Sequence, residues 1–189
     1  MHIAFDLDVP TTSTVAFGRT MNWDLIAARW ALGEMTAEDL TEVAVDALLE
    51  GHDSAPLRLL AGELNPTMAE VGALFEEALA HESVAVPSVP HAVFELAKHT
   101  AALLLAGCVD PLEGARRIAC LGHEIAFFLA EFGLLSGLES QHEDFTSPHH
   151  IAYYGEERCA EVREETVMRI RATAQRLLAM GQPQLVQPP

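Results

Sequence analysis

Helix starts are spelled out in this chain, and they limit its fold more than any other feature. Thr36-Ala37-Glu38-Asp39, Thr67-Met68-Ala69-Glu70 and Asp110-Pro111-Leu112-Glu113 each place an oxygen-bearing side chain three residues ahead of a carboxylate. In that arrangement the first side chain accepts from an orphan amide of the first turn, and the carboxylate reaches back to the cap. Pro111 falls at the first helical position, where its missing N–H leaves nothing unpaired. Gly33, Gly51, Gly62, Gly107 and Gly181 stand where helices should stop. These marks predict helices over 22–33, 37–50, 54–62, 67–81, 89–106, 111–121, 123–139 and 155–179.

A chain punctuated in this way leaves little room for a sheet. Its apolar share is 50%, enough for a sizeable core, and Ala and Leu dominate it. The expected fold class is all-α, a compact multi-helix bundle with a short extended N-terminal arm. With 189 residues, one helical domain over 21–180 is the default. Ile3, Phe5, Leu7 and Val9 alternate with His2, Ala4, Asp6 and Asp8, which is strand periodicity without a partner strand. Residues 1–20 therefore read as an arm, strand-like or flexible, and 181–189 as a disordered tail. Ser140–His150 is polar, contains Pro148, and is expected to be a long loop between two helices. No repeat is regular enough for a solenoid.

Charge is the second constraint. Between Trp30 and Ala97 stand thirteen acidic residues and a single basic one, Arg58, which supplies most of the net charge of -17. Glu38, Glu42, Asp46 and Glu50 recur every fourth residue and so form one stripe on the second helix. Like charges at this spacing weaken a helix by roughly 0.2–0.5 kcal/mol per pair. Leu40, Val43, Ala44, Ala47 and Leu48 cover another face, so packing must hold the helix. The stripe reads either as a docking face for a cationic surface or as a solvated face that only confers solubility.

Histidines come next. His91, Glu95 and His99 are spaced i, i+4, i+8 along one predicted helix and offer three metal ligands on one face. A recognised motif would need a further ligand, and the charge of Lys98 beside them opposes a cation. In the segment Gln141–Tyr154, His149 or His150 beside Glu143 or Asp144 resembles an acid–base pair. No nucleophile or oxyanion hole accompanies it, so a connector pinned by Phe145, Ile151 and Tyr154 is expected instead. Cys120 and Cys159 lie in helical patterns and read as buried apolar residues. Cys108, Cys120 and Cys159 show neither disulfide nor zinc spacing.

Several classes are disfavoured. There is no phosphate loop, because Gly133–Gly137 is too short and lacks a lysine. Arg158, Arg163, Arg169, Arg171 and Arg176 alternate with glutamates along the last helix, so direct nucleic-acid binding is not expected. The longest apolar run, Ala101–Ala106, is far too short to span a bilayer. The N-terminus lacks a basic segment followed by an apolar one. A cytoplasmic, reducing setting without membrane contact is expected.

The segment Asp110-Pro-Leu-Glu-Gly-Ala-Arg-Arg-Ile118 resembles a turn-helix of uncharacterised small all-helical bacterial proteins. There too it is followed by a Leu/Phe-rich helix and an acidic loop, and the resemblance extends over about residues 103–180. It carries no chemistry, so it assigns no catalytic residue. On the residues themselves, Arg116 and Arg117 are set to pair with nearby acids. The functional reading that follows is an acidic interaction protein, inhibitor- or immunity-like, binding a basic protein partner through Glu38, Glu42, Asp46 and Glu50, without a cofactor. The alternatives are a metal-dependent helical enzyme using a divalent transition metal at His91, Glu95 and His99, and a scaffold or regulatory homo-oligomer associating through residues 1–20.

Overall fold

The computed structural model describes residues 21–125 and 129–181, and these form nine α-helices with no strand among them. They are α1 (Trp23–Ala31), α2 (Ala37–Glu50), α3 (Ala55–Ala61), α4 (Met68–His81), α5 (Val89–Leu105), α6 (Pro111–Glu124), α7 (Ala130–Asp144), α8 (Pro148–Tyr154) and α9 (Glu156–Ala179). The expected arm over 1–20 and the tail after Gly181 lie outside the described residues.

The three cap signatures differ in how they close. At α2 the box is complete: Asp39 N donates to Thr36 Oγ1 at 3.2 Å, and Thr36 N donates to Asp39 Oδ2 at 2.7 Å. At α6 only the forward half forms, with Leu112 N and Glu113 N both donating to Asp110 Oδ1, while Glu113 turns to arginines instead. At α4 the Thr67 hydroxyl donates to Glu70 Oε2 at 2.6 Å, and no backbone amide is capped by the side chain. Gly51 closes α2 with φ 96°, the left-handed conformation that glycine adopts without a Cβ penalty.

Two boundaries depart from expectation. Gly122 does not end α6. It is buried inside that helix, as is Gly114, where an added β-carbon would stand 2.7 Å from Leu104 Cδ1. α6 carries Gly114 because Leu104 of α5 lies close against it, and that packing outweighs a weak helix propensity of about 1 kcal/mol. The expected loop Ser140–His150 is instead the end of α7 and the start of α8. Pro148 occupies the first turn of α8, where it is harmless, and Ser147 caps the helix by accepting from His150 N.

The buried side chains fall into three groups. α1–α4 enclose one core, built on Trp23, Leu40, Leu57, Leu60, Phe75 and Leu79. α5, α6, α7 and α9 enclose another, built on Phe94, Leu104, Ile118, Phe132, Leu135 and Ile170. A small seam joins them where Ala28 of α1 meets Ala92 and Leu96 of α5. Each fully buried Phe or Leu contributes roughly 1.5–3 kcal/mol of apolar transfer energy, so the two large cores carry the stability and the seam carries little. α5 is the central element, packed on α1, α6 and α9, whereas α8 lies on α9. Among the described residues no helix is long and apolar enough to cross a membrane.

Candidate functional site

α2 is divided lengthwise. Ala37, Leu40, Ala44 and Ala47 are buried against the first core. Glu38, Glu42, Asp46 and Glu50 are exposed on the other side. The carboxylates of Glu38, Glu42 and Asp46 have no hydrogen-bond or ion-pair partner among the described residues. Glu50 differs, because its Oε2 accepts from Met21 N at the entrance to α1. The neighbouring acids are occupied too: Asp39 closes the cap, and Asp53 pairs with Arg58. The only lysine or arginine of the acidic stretch is thereby used up locally, and the outer face of α2 keeps a negative charge that no described residue pairs.

This face also holds two apolar side chains that the charge pattern obscured. Leu49 is 80% exposed and Val45 42% exposed. At about 100° per residue, Leu49 points in the same direction about the helix axis as Glu38 and Glu42, two to three turns further along, and Val45 sits one turn before it on the same side. The signal was available in the sequence: positions 45 and 49 are an i, i+4 pair offset from the buried Leu40, Ala44 and Ala47.

Elsewhere on the acidic half, His52 Nδ1 lies 2.8 Å from Glu82 Oε2, tying the end of α2 to the end of α4. The His52 ring also meets Trp23 edge-on. Where the two cores meet, one carboxylate oxygen of Glu34 is buried without a partner. Burial pushes the Glu34 carboxyl above its ordinary value, Arg29 pulls it back, and Glu124 pushes it further up.

The second half treats its charges differently. Arg116 donates to Glu139, Glu143 and Glu113, and Arg117 to Glu113, as the sequence led us to expect. Hydrogen bonding to Glu139 is the main cause that raises the Arg116 guanidinium above its ordinary value. On α9, Arg158 pairs with Glu161 and Arg163 with Glu156.

The histidine trio is only partly gathered. Glu95 and His99 share a shallow cleft of about 290 Å³ with Asn22, Asp24, Leu25 and Lys98. His91 is engaged at the helix start, its Nδ1 2.9 Å from Ser88 Oγ. Desolvation lowers the His99 imidazole below its ordinary value. Among the described residues no group of three or more His, Cys, Asp or Glu side chains is placed to hold a metal ion.

His150 likewise lies 2.9 Å from Ser147 Oγ through Nδ1, and it stacks with Tyr154 beside Phe145. Ser88/His91 and Ser147/His150 are therefore the same local device, a serine cap facing a histidine three residues on. Phe145 and Tyr154, expected with Ile151 to pin this segment to the bundle, stack on each other within it, and no residue of α8 is fully buried. Cys159 is buried, Cys120 is half-buried with its thiol pushed up by burial, and Cys108 is exposed.

Comparison with protein-family models, with curated proteins and with solved structures finds no match in any of the three.

Proposed function

We propose that this is an acidic interaction protein whose α2 face docks a basic protein partner. The observation that supports this reading is the state of Glu38, Glu42 and Asp46. Three exposed carboxylates in successive turns have no ion-pair partner among the described residues, while Arg58 is held by Asp53. A surface of one sign steers an oppositely charged partner and speeds its encounter, and salt weakens the effect. The exposed free thiol of Cys108 supports the cytoplasmic, reducing setting.

The test is kinetic. A variant carrying Glu38→Gln, Glu42→Gln, Asp46→Asn and Glu50→Gln keeps side-chain size while removing the stripe. Basic proteins recovered with the wild type from its native host should associate with this variant about tenfold more slowly or worse at low salt. The difference should shrink as salt is raised. Equal association rates across the whole salt series would reduce the stripe to a solvated face.

A further inference from the structure

We infer that the partner presents a cationic amphipathic helix, with an apolar seam flanked by lysines or arginines, to the outer face of α2. The inference rests on the docking reading above and adds the shape and chemistry of the occupant. Charge alone would suit any polycation, including an extended basic tail. Leu49 and Val45 are what narrow the choice. Leu49 is 80% exposed at the C-terminal end of the face, about one turn beyond Val45, and both point in the same direction as the Glu38, Glu42 and Asp46 stripe. A purely ionic ligand gains nothing from an apolar pair at i, i+4. A helix with apolar residues at i, i+3, i+4 and i+7 can lay them over this pair and still keep its flanking cations within reach of the acids. α2 has 14 residues, so its face accommodates a partner helix of about 21 Å.

A second copy of this chain is a poor occupant. An isologous dimer through this surface would set Glu42 and Asp46 against like charges. The polar contact that other described segments make with the stripe, Met21 N to Glu50, lies at its C-terminal end, where Glu50 points about 100° away from Leu49, and Val45 and Leu49 stay exposed.

The experiment uses the full chain and two fluorescent peptides of about fourteen residues, matched to the 14 residues of α2. Both contain only leucine and lysine in equal proportions. One follows helical spacing and the other strand alternation, and binding is read by anisotropy across a salt series. Expected is at least tenfold tighter binding of the helical isomer. A Val45→Gln/Leu49→Gln variant should lose about tenfold of that affinity with its salt slope unchanged, since truncated apolar anchors weaken binding and rim charges set its salt dependence. The charge-neutralised α2 variant should show the opposite pattern, a flattened salt slope with the preference for the helical isomer retained. Equal binding of both isomers, or no loss in the Val45/Leu49 variant, overturns the helix inference while leaving an acidic docking face in place. No salt-dependent binding of either peptide overturns both.

Discussion

The α1–α4 half and the α5–α9 half of this molecule are built from the same kind of helix, yet they handle charge in opposite ways. In the second half, arginine and glutamate are interleaved, and Arg116 alone reaches three carboxylates on α6 and α7. In the first half, Glu38, Glu42 and Asp46 of α2 face solvent with no counter-ion among the described residues, and Arg58 and His52 each serve a single carboxylate. Both halves have a dry core, so neither needs surface charge to fold. The difference teaches that the Arg116 ion pairs of the second half join helices, whereas the bare acids of the first half join nothing among the described residues. A surface that costs a helix a few tenths of a kcal/mol per pair, and contributes no internal contact, is the place to look for an external one.

The contrast can be broken most severely at the cores. Leu40→Ala in the first core and Leu104→Ala in the second should each cost about 2–5 kcal/mol. Because the seam has only three buried side chains, Ala28, Ala92 and Leu96, with Leu25, Ala31, Leu32 and Leu121 partly buried against them, amide hydrogen exchange in Leu40→Ala should show protection lost over α2–α4 and kept over α6, α7 and α9. Uniform loss across both halves would mean that they unfold as one unit.

Glycine substitutions separate close packing from open surface within the second half. Gly114→Ala forces a β-carbon to 2.7 Å from Leu104 Cδ1, and should lower stability by about 1–3 kcal/mol. Gly133→Ala on α7 meets nothing within 4 Å, and should raise it by about 0.5–1 kcal/mol. Denaturant midpoints of the two variants should therefore move in opposite directions.

Charge removal should give smaller effects, again of opposite sign in the two halves. Arg116→Ala deprives Glu139 of its main partner, and should cost about 1 kcal/mol, less in high salt. Neutralising Glu38, Glu42 and Asp46 should leave stability unchanged or raise it by about 0.5 kcal/mol. Thermal melts at low and high ionic strength distinguish these outcomes.

The smallest effects belong to single titrations. Glu34 sits where the halves meet, with its carboxyl raised above 4.5. Its folded form favours the proton, so the stability it lends is full below 4.5 and is lost as pH rises through the elevated folded value. Glu34→Gln should accordingly raise the melting temperature near neutral pH and have little effect at pH values well below 4.5. His99 works the other way: its folded value is depressed below 6.5, so stability falls as pH drops through 6.5, and His99→Gln should flatten that slope.

Much of the fold was legible because caps are local. Thr36/Asp39 and Asp110/Pro111 act within one turn, and the α2 and α6 starts lie where those residues place them. What escaped were features decided by distant contacts. The break expected between 121 and 123 does not occur, because Gly122 is buried inside α6. Pro148 reads as a breaker in a polar stretch, although Ser147 ahead of it makes a helix start, and the stacking of Phe145 on Tyr154 holds that short helix. The α2 stripe followed from a spacing of four. Its division into three bare carboxylates and one engaged by Met21 depends on a segment 29 residues away, which no periodicity encodes.

Gly155 ends α8 and begins α9 at φ 85°, ψ 151°, a backbone state essentially closed to every residue with a β-carbon. Every amino-acid change reachable from a glycine codon by one base adds such a carbon. This position should therefore stand out in a saturation-mutagenesis library as an intolerant column. Gly133 and Gly137, the same amino acid with nothing within 4 Å of an added β-carbon, should accept alanine freely. Glycine's genetic cost in this chain is set by the corner it turns and not by its identity.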